Sequence, residues 1–326
     1  MTAIWRQVLD GIDRHGRLAM VTIAAKRGSS PRDAGARMIV FPDATFTGTI
    51  GGGTLEWKAI AMAQSALANP NAAKAETRGF ALGPELGQCC GGNVELVLEL
   101  IERERRDEVK ALAEKEATGN LTTRGRLISD RGVIREIIEQ DELAPGAAAY
   151  TGGVLTEGFG DERRPLYLFG AGHVGRALIL ALAPLPFRVT WIDPRPDSFP
   201  AYVPANVTTV QADDPAAVLA AAPDGAFVLA MTHSHPLDLA VAAVGLADPR
   251  FPYVGVIGSK TKRARFTRQL AEAGIPRARV DEMVCPIGAS AVHSKLPAVI
   301  AATTVVELLE RDEALKAGEM PMAGRA

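Results

Sequence analysis

The sequence predicts an α/β protein whose C-terminal half is a parallel sheet covered by helices, and three observations lead there. From Pro165 onward, β-type runs (Leu166 to Phe169, Arg188 to Ile192, Val207 to Val210, Ala226 to Ala230, Tyr253 to Ile257) alternate with helical ones. Gly170-Ala171-Gly172-His173-Val174-Gly175 fits G-x-G-x-x-G, directly follows the first of these runs and opens an apolar helix. The 326 residues are also long for one hydrophobic core, so two domains are expected. The C-terminal one, over 161–326, is of Rossmann type; the N-terminal one, over 1–160, is a second α/β domain.

Within the N-terminal domain the apolar spacing predicts a helix from Ala3 to His15, a strand from Ala19 to Ala25, a hairpin across Ala36 to Thr49 and a helix from Leu55 to about Leu67. Strands near Glu76 to Phe80 and Val94 to Leu100 flank a long Gly-rich loop that carries Cys89 and Cys90. Gly125 to Ile128 and Val133 to Ile137 read as a further hairpin. Pro145 to Gly160 is rich in Gly and Ala, shows neither periodicity, and is taken as the connection between domains. The tail from Lys316 to Ala326 also lacks periodicity, and a mobile segment is expected there.

Composition removes several classes of function. A formal charge of -2 and 5% aromatic residues give no footprint for nucleic acid. Charged residues at the start of the chain argue against a secretory leader, and no stretch approaches the roughly eighteen uncharged apolar residues of a membrane span. Three cysteines, two of them adjacent, make no disulfide framework, which leads to the expectation of a reducing cytoplasm.

The glycines of 170–175 let the backbone turn tightly and approach a phosphate, whose charge the unpaired amides of the helix N-terminus stabilise. Asp193 ends the next strand, where a ribose-binding carboxylate belongs, although Asp193-Pro194 also reads as a plain turn. His233 follows the strand ending at Ala230, and Ser259 and Lys260 follow the one ending at Ile257. Ligands of open α/β sheets bind outside these strand ends. Lys260, Lys262, Arg263 and Arg265 suit an anion or form a solvated face. His233-x-His235 with His173, Cys285 and His293 raises zinc, but the spacing matches no recognised zinc pattern.

Three Gly-rich segments of the N-terminal half, at 27–32, 48–56 and 87–92, could each present amides to an anion or be ordinary turns. Gly52 and Gly53 precede a helix as phosphate loops do, but no Lys-Ser or Lys-Thr follows, so this is not a Walker A loop. Cys89 and Cys90 offer soft thiolates to a metal or to sulfur exchange.

Arg27-Gly28-Ser29-Ser30-Pro31-Arg32, Gly51-Gly52-Gly53-Thr54-Leu55-Glu56, Gly87-Gln88-Cys89-Cys90-Gly91-Gly92, Phe169 to Gly175, Met231-Thr232-His233, Tyr253 to Ser259 and Cys285-Pro286-Ile287-Gly288 together resemble the XdhC/CoxI family of xanthine dehydrogenase accessory proteins. The resemblance covers nearly the whole chain. It implies a chaperone that binds the molybdopterin form of molybdenum cofactor, protects it during exchange of an oxo for a sulfido ligand, and inserts it into apo xanthine dehydrogenase or a related molybdenum hydroxylase. A cysteine desulfurase is the second implied partner, and a homodimer is the default expectation. The implied cofactor-binding residues are Gly170, Gly172, His173, Gly175, Asp193, His233, Ser259, Lys260, Gly52 and Gly53, with Cys89 and Cys90 as molybdenum contacts. The stretch from Ala289 to Lys295 departs from the family pattern, so His293 and Lys295 are not carried over.

Two rival readings stand beside this one. An NAD(P)-dependent oxidoreductase would use the same fingerprint and Asp193, yet the sequence supplies no general acid, general base and substrate pocket for it. A thiol redox protein would use Cys89 and Cys90, but adjacent cysteines pair poorly and there is no C-x-x-C.

Overall fold

The computed structural model describes residues 3–83, 91–139, 143–161, 163–288, 292 and 294–318. The chain forms two compact units, Met1–Glu162 and Arg163–Ala326.

The first unit begins with α1 (Ile4–His15), which buries Trp5, Val8, Leu9 and Ile12 at helical spacing and ends at the left-handed Gly16. No side chain at its own N-cap meets the first amides; the carboxylate of Glu116 accepts from Ile4 N at 3.0 Å and Trp5 N at 2.8 Å instead. There follow β1 (Arg17–Arg27), β2 (Arg37–Val40), β3 (Phe46–Gly48), α2 (Gly53–Ala68), β4 (Ala75–Ala81), β5 (Asn93–Glu102) and α3 (Arg106–Thr118). The five strands make an antiparallel sheet in the order β3-β2-β1-β5-β4. Strand β1 is apolar on both faces because both are covered. Ala19, Val21 and Ile23 meet the α2 side with Leu55, Ala59, Ala63 and Leu67, while Leu18 and Met20 join α1 and α3.

A second antiparallel sheet, order β7-β6-β9-β8, is built from β6 (Leu121–Ile128), β7 (Gly132–Ile138), β8 (Ala148–Thr151) and β9 (Val154–Phe159). The last two strands lie within Pro145 to Gly160, the stretch in which the sequence shows neither periodicity. Thr151 pairs with Val154 across Gly152 and Gly153, both at positive φ, so a two-residue glycine turn closes a hairpin that the small side chains concealed. Buried ion pairs tie the two sheets together: Arg37 and Arg135 each bond Glu157, and Arg135 also bonds Glu99. Burial works to raise the pKa of Glu99, but Arg135 and Arg105 hold it below the usual value.

The second unit alternates strand and helix: β10 (Arg164–Phe169), α4 (His173–Leu182), β11 (Phe187–Asp193), β12 (Val207–Gln211), β13 (Phe227–Ala230), α5 (His235–Ala247), β14 (Tyr253–Val256), α6 (Lys260–Glu272), α7 (Arg277–Asp281) and α8 (Pro297–Lys316). All five strands are parallel, in the order β12-β11-β10-β13-β14. Leu166 and Leu168 of β10 face α4 and α8, whereas Tyr167 and Phe169 face α5 and α6. This is the doubly wound arrangement, and its strand order reverses between β10 and β13. No described helix is long and apolar enough to cross a membrane.

Candidate functional site at the strand-order reversal

The β10–α4 turn assigns a separate job to each glycine. Gly170 has φ +114°, and a Cβ there would stand 2.3 Å from Met231 O, so only glycine lets the end of β10 lie against the end of β13. At Gly175 a Cβ would meet Gly170 O at 2.2 Å, which fixes the close seating of α4 on its own strand. Gly172 is different: a Cβ there would touch nothing within 4 Å. The amides of Gly172, His173, Val174 and Gly175 donate to no acceptor among the described residues, and no side chain caps α4. Four unpaired donors thus gather at the positive end of a helix, with space beside Gly172, as an anion site requires. His173 is exposed at the first position of α4.

Asp193 lies at the carboxyl end of β11 and is buried. Its Oδ2 accepts from Ala171 N at 2.7 Å and from Arg195 Nη2 at 2.8 Å; its Oδ1 accepts from Arg195 N at 3.0 Å and Nε at 2.9 Å. Burial disfavours its ionisation, yet the hydrogen bonds from Arg195 and Ala171 bring the pKa from 3.8 to about 2.

The β13–α5 loop lies beside this turn, since a Cβ on Gly170 would come 3.0 Å from Thr232 Cα. It carries His233, which is exposed, and Ser234, which caps α5 by accepting from Leu237 N. A buried ion pair that the sequence reading missed holds the loop in place. Asp238 accepts from Thr232 N at 2.8 Å and from Lys262 Nζ at 2.6 Å, and Lys262 also donates to Ile257 O at 2.8 Å. The signal was available, because Asp238 is the only charge in the otherwise apolar α5 and needs a buried partner. The run from Lys260 to Arg265 is therefore neither a uniform anion face nor a uniform solvated one. Lys260 is exposed next to the α6 cap Ser259, Lys262 is buried, Arg263 Nη1 donates to Met283 O, and Arg265 meets His235. Cys285 is a buried free thiol whose pKa burial pushes up, the opposite of an activated thiolate. Among the described residues no group of three or more His, Cys, Asp or Glu is arranged to hold a metal.

In the first unit the Gly-rich segments converge. A Cβ on Gly51 would stand 2.7 Å from Pro31 Cβ, and Gly92 N donates to Ser29 O at 3.1 Å. Two amides before α2 are already occupied: Glu56 Oε2 accepts from Ile50 N at 3.1 Å and Gly52 N at 3.3 Å, and also from Thr49 Oγ1 at 2.5 Å. Gly52 and Gly53, both at positive φ, shape that self-capped turn. A cavity of about 730 Å³ in this unit is lined by Gln7, Arg32, Arg37, Thr47, Thr49 and Phe159 among others. Cys89 and Cys90 lie outside the described residues, in the segment joining β4 to β5.

A parallel doubly wound domain with an open phosphate-type turn at its strand-order reversal places the second unit in the Rossmann class. Family comparisons agree and go further: residues 166–308 match the XdhC Rossmann domain, and residues 12–77 match the XdhC and CoxI family. The chain belongs to the XdhC/CoxI family. The uncharacterized protein YqeB of Escherichia coli (strain K12) is 26% identical over 297 residues, which are 90% of this chain and 43% of that protein. The chain thus spans less than half the length of this curated relative. A crystal structure described as a xanthine dehydrogenase from Bacillus halodurans is 22% identical, with TM-score 0.76 and 98% of each chain covered. At that identity the likeness shows a shared fold.

Proposed function

We propose that this protein acts in the maturation of xanthine dehydrogenase or a related molybdenum hydroxylase, by binding molybdenum cofactor, shielding it during sulfuration and handing it to the apo-enzyme. The observation that carries this reading is the β10–α4 turn, where the amides of Gly172, His173, Val174 and Gly175 have no protein acceptor and Gly172 leaves free space beside them. A phosphate of the pterin fits that donor set, which is unpaired, preorganised and at a helix N-terminus. His173 and His233, exposed on the two adjoining turns, add neutral or cationic donors for the rest of the ligand.

Ser259 and Lys260 stand at the neighbouring strand end and are assigned a peripheral contact with the same anion. For Cys89 and Cys90 the assignment rests on chemistry: two soft thiolates suit molybdenum or a sulfur being exchanged. A cysteine desulfurase supplying that sulfur and a homodimeric state belong to the same proposal. Membership of the XdhC/CoxI family supports the hydroxylase as partner.

The test is to incubate the purified protein with released molybdenum cofactor, measure retained molybdenum and pterin, and then add cofactor-free xanthine dehydrogenase. Stoichiometric retention followed by recovery of hydroxylase activity is expected. Absence of retention, together with tight NAD(P) binding and turnover, contradicts the proposal and favours an oxidoreductase.

A further inference from the structure

In a Rossmann-type domain the carboxylate ending the second strand receives the two hydroxyls of a ribose. Asp193 occupies that place at the end of β11. A carboxylate has about four acceptor positions, and here four protein donors fill them: Ala171 N, Arg195 N, Arg195 Nε and Arg195 Nη2. The Asp193 side chain is 0% exposed, whereas that of Arg195 is 45% exposed. Arg195 therefore lies over the carboxylate as a lid and turns a cation outward, with Nη1 free of any acceptor among the described residues. A ribose diol entering from solvent meets donors where it needs an acceptor.

We propose that Arg195 sets the specificity of this site, closing it to ligands that present a free ribose diol and favouring ligands that carry a phosphate at that position. This rests on the reading of the β10–α4 turn as a phosphate site, and it deepens that reading by excluding one ligand class, the dinucleotides with an unmodified ribose. Arg195 acts here on binding alone, and no chemical step is assigned to it. The Asp193–Arg195 pair has a second, structural consequence, because the same carboxylate holds Ala171 N and so fixes the turn that the ligand approaches.

The test uses the full chain in three forms, wild type, Arg195→Ala and Arg195→Gln, with binding of NADH and NADPH followed by fluorescence titration. The glutamine variant keeps most of the side-chain bulk, and thermal melting checks the fold of each. Wild type is expected to bind NADPH at least about tenfold more tightly than NADH, as a charged hydrogen bond gained or lost implies. Removing the guanidinium uncovers Asp193, so both variants are expected to gain about tenfold or more for NADH and to lose affinity for NADPH. Unchanged NADH affinity in both folded variants, or a wild type that prefers NADH, overturns the proposal. Molybdenum cofactor retention measured on the same preparations keeps the two ideas apart. Loss of retention alone defeats the cofactor-carrier reading, and lack of NADH gain alone defeats the role of Arg195.

Discussion

Two Gly-rich turns in this protein lead into helix N-termini, and they differ in how far a carboxylate of the chain already occupies them. Before α2, Gly51, Gly52 and Gly53 all take positive φ and the helix supplies its own anion, Glu56, which accepts from two backbone amides and a threonine hydroxyl. Before α4, the sequence offers no acidic residue in the first turn, and four amides stay open. Glycines before a helix therefore do not by themselves make an anion site. What matters is whether a carboxylate within reach of the turn has already taken the donors.

The largest way to break the open turn is to remove what braces it. Lys262→Met leaves Asp238 buried without its cation, and about 3–5 kcal/mol of stability should be lost in denaturant unfolding. Gly170→Ala adds a Cβ at φ +114° against Met231 O, and a loss of more than about 2 kcal/mol is expected by the same measurement. At the turn before α2, Glu56→Ala should cost about 1 kcal/mol, and added phosphate should recover part of the lost melting temperature because the amides of Ile50 and Gly52 become free to bind it.

A further effect is expected in acid. With its pKa depressed to about 2, Asp193 contributes stability that is complete above its ordinary value of 3.8 and lost as pH falls through about 2. Relative to wild type, Asp193→Asn should unfold with a shallower pH dependence between about 4 and 2, as followed by circular dichroism.

The alternation of strands and helices in the second unit was legible because apolar runs there are bounded by Gly, Pro and polar residues, and the inner strands β10, β13 and the neighbouring β14 are buried on both faces. Strands β8 and β9 were not legible. Ala148, Ala149 and the flanking glycines carry too little side chain to show an alternation, and the pairing comes from β6 across the sheet. In the candidate site, the placement of 170–175 between a strand and a helix could be read directly. The occupancy of donors and acceptors could not: Arg195 folding back on Asp193, Glu56 reaching back to Gly52, and Lys262 crossing to Asp238 are side-chain choices set by three-dimensional proximity. Asp238, a single charge in an apolar helix, and Glu56, an acid in the first turn after three glycines, were the two signals that could have revealed part of it.

The most direct measurement of the central claim is molybdenum cofactor retention by Gly172→Asp beside wild type. Gly172 has φ -80° and no neighbour near its missing Cβ, so the variant should fold and melt like wild type while its carboxylate takes the open amides, as Glu56 does before α2. The account predicts stoichiometric molybdenum and pterin on wild type and at least a tenfold loss on the variant. Equal retention by both folded proteins would contradict it and remove the β10–α4 turn from the binding site.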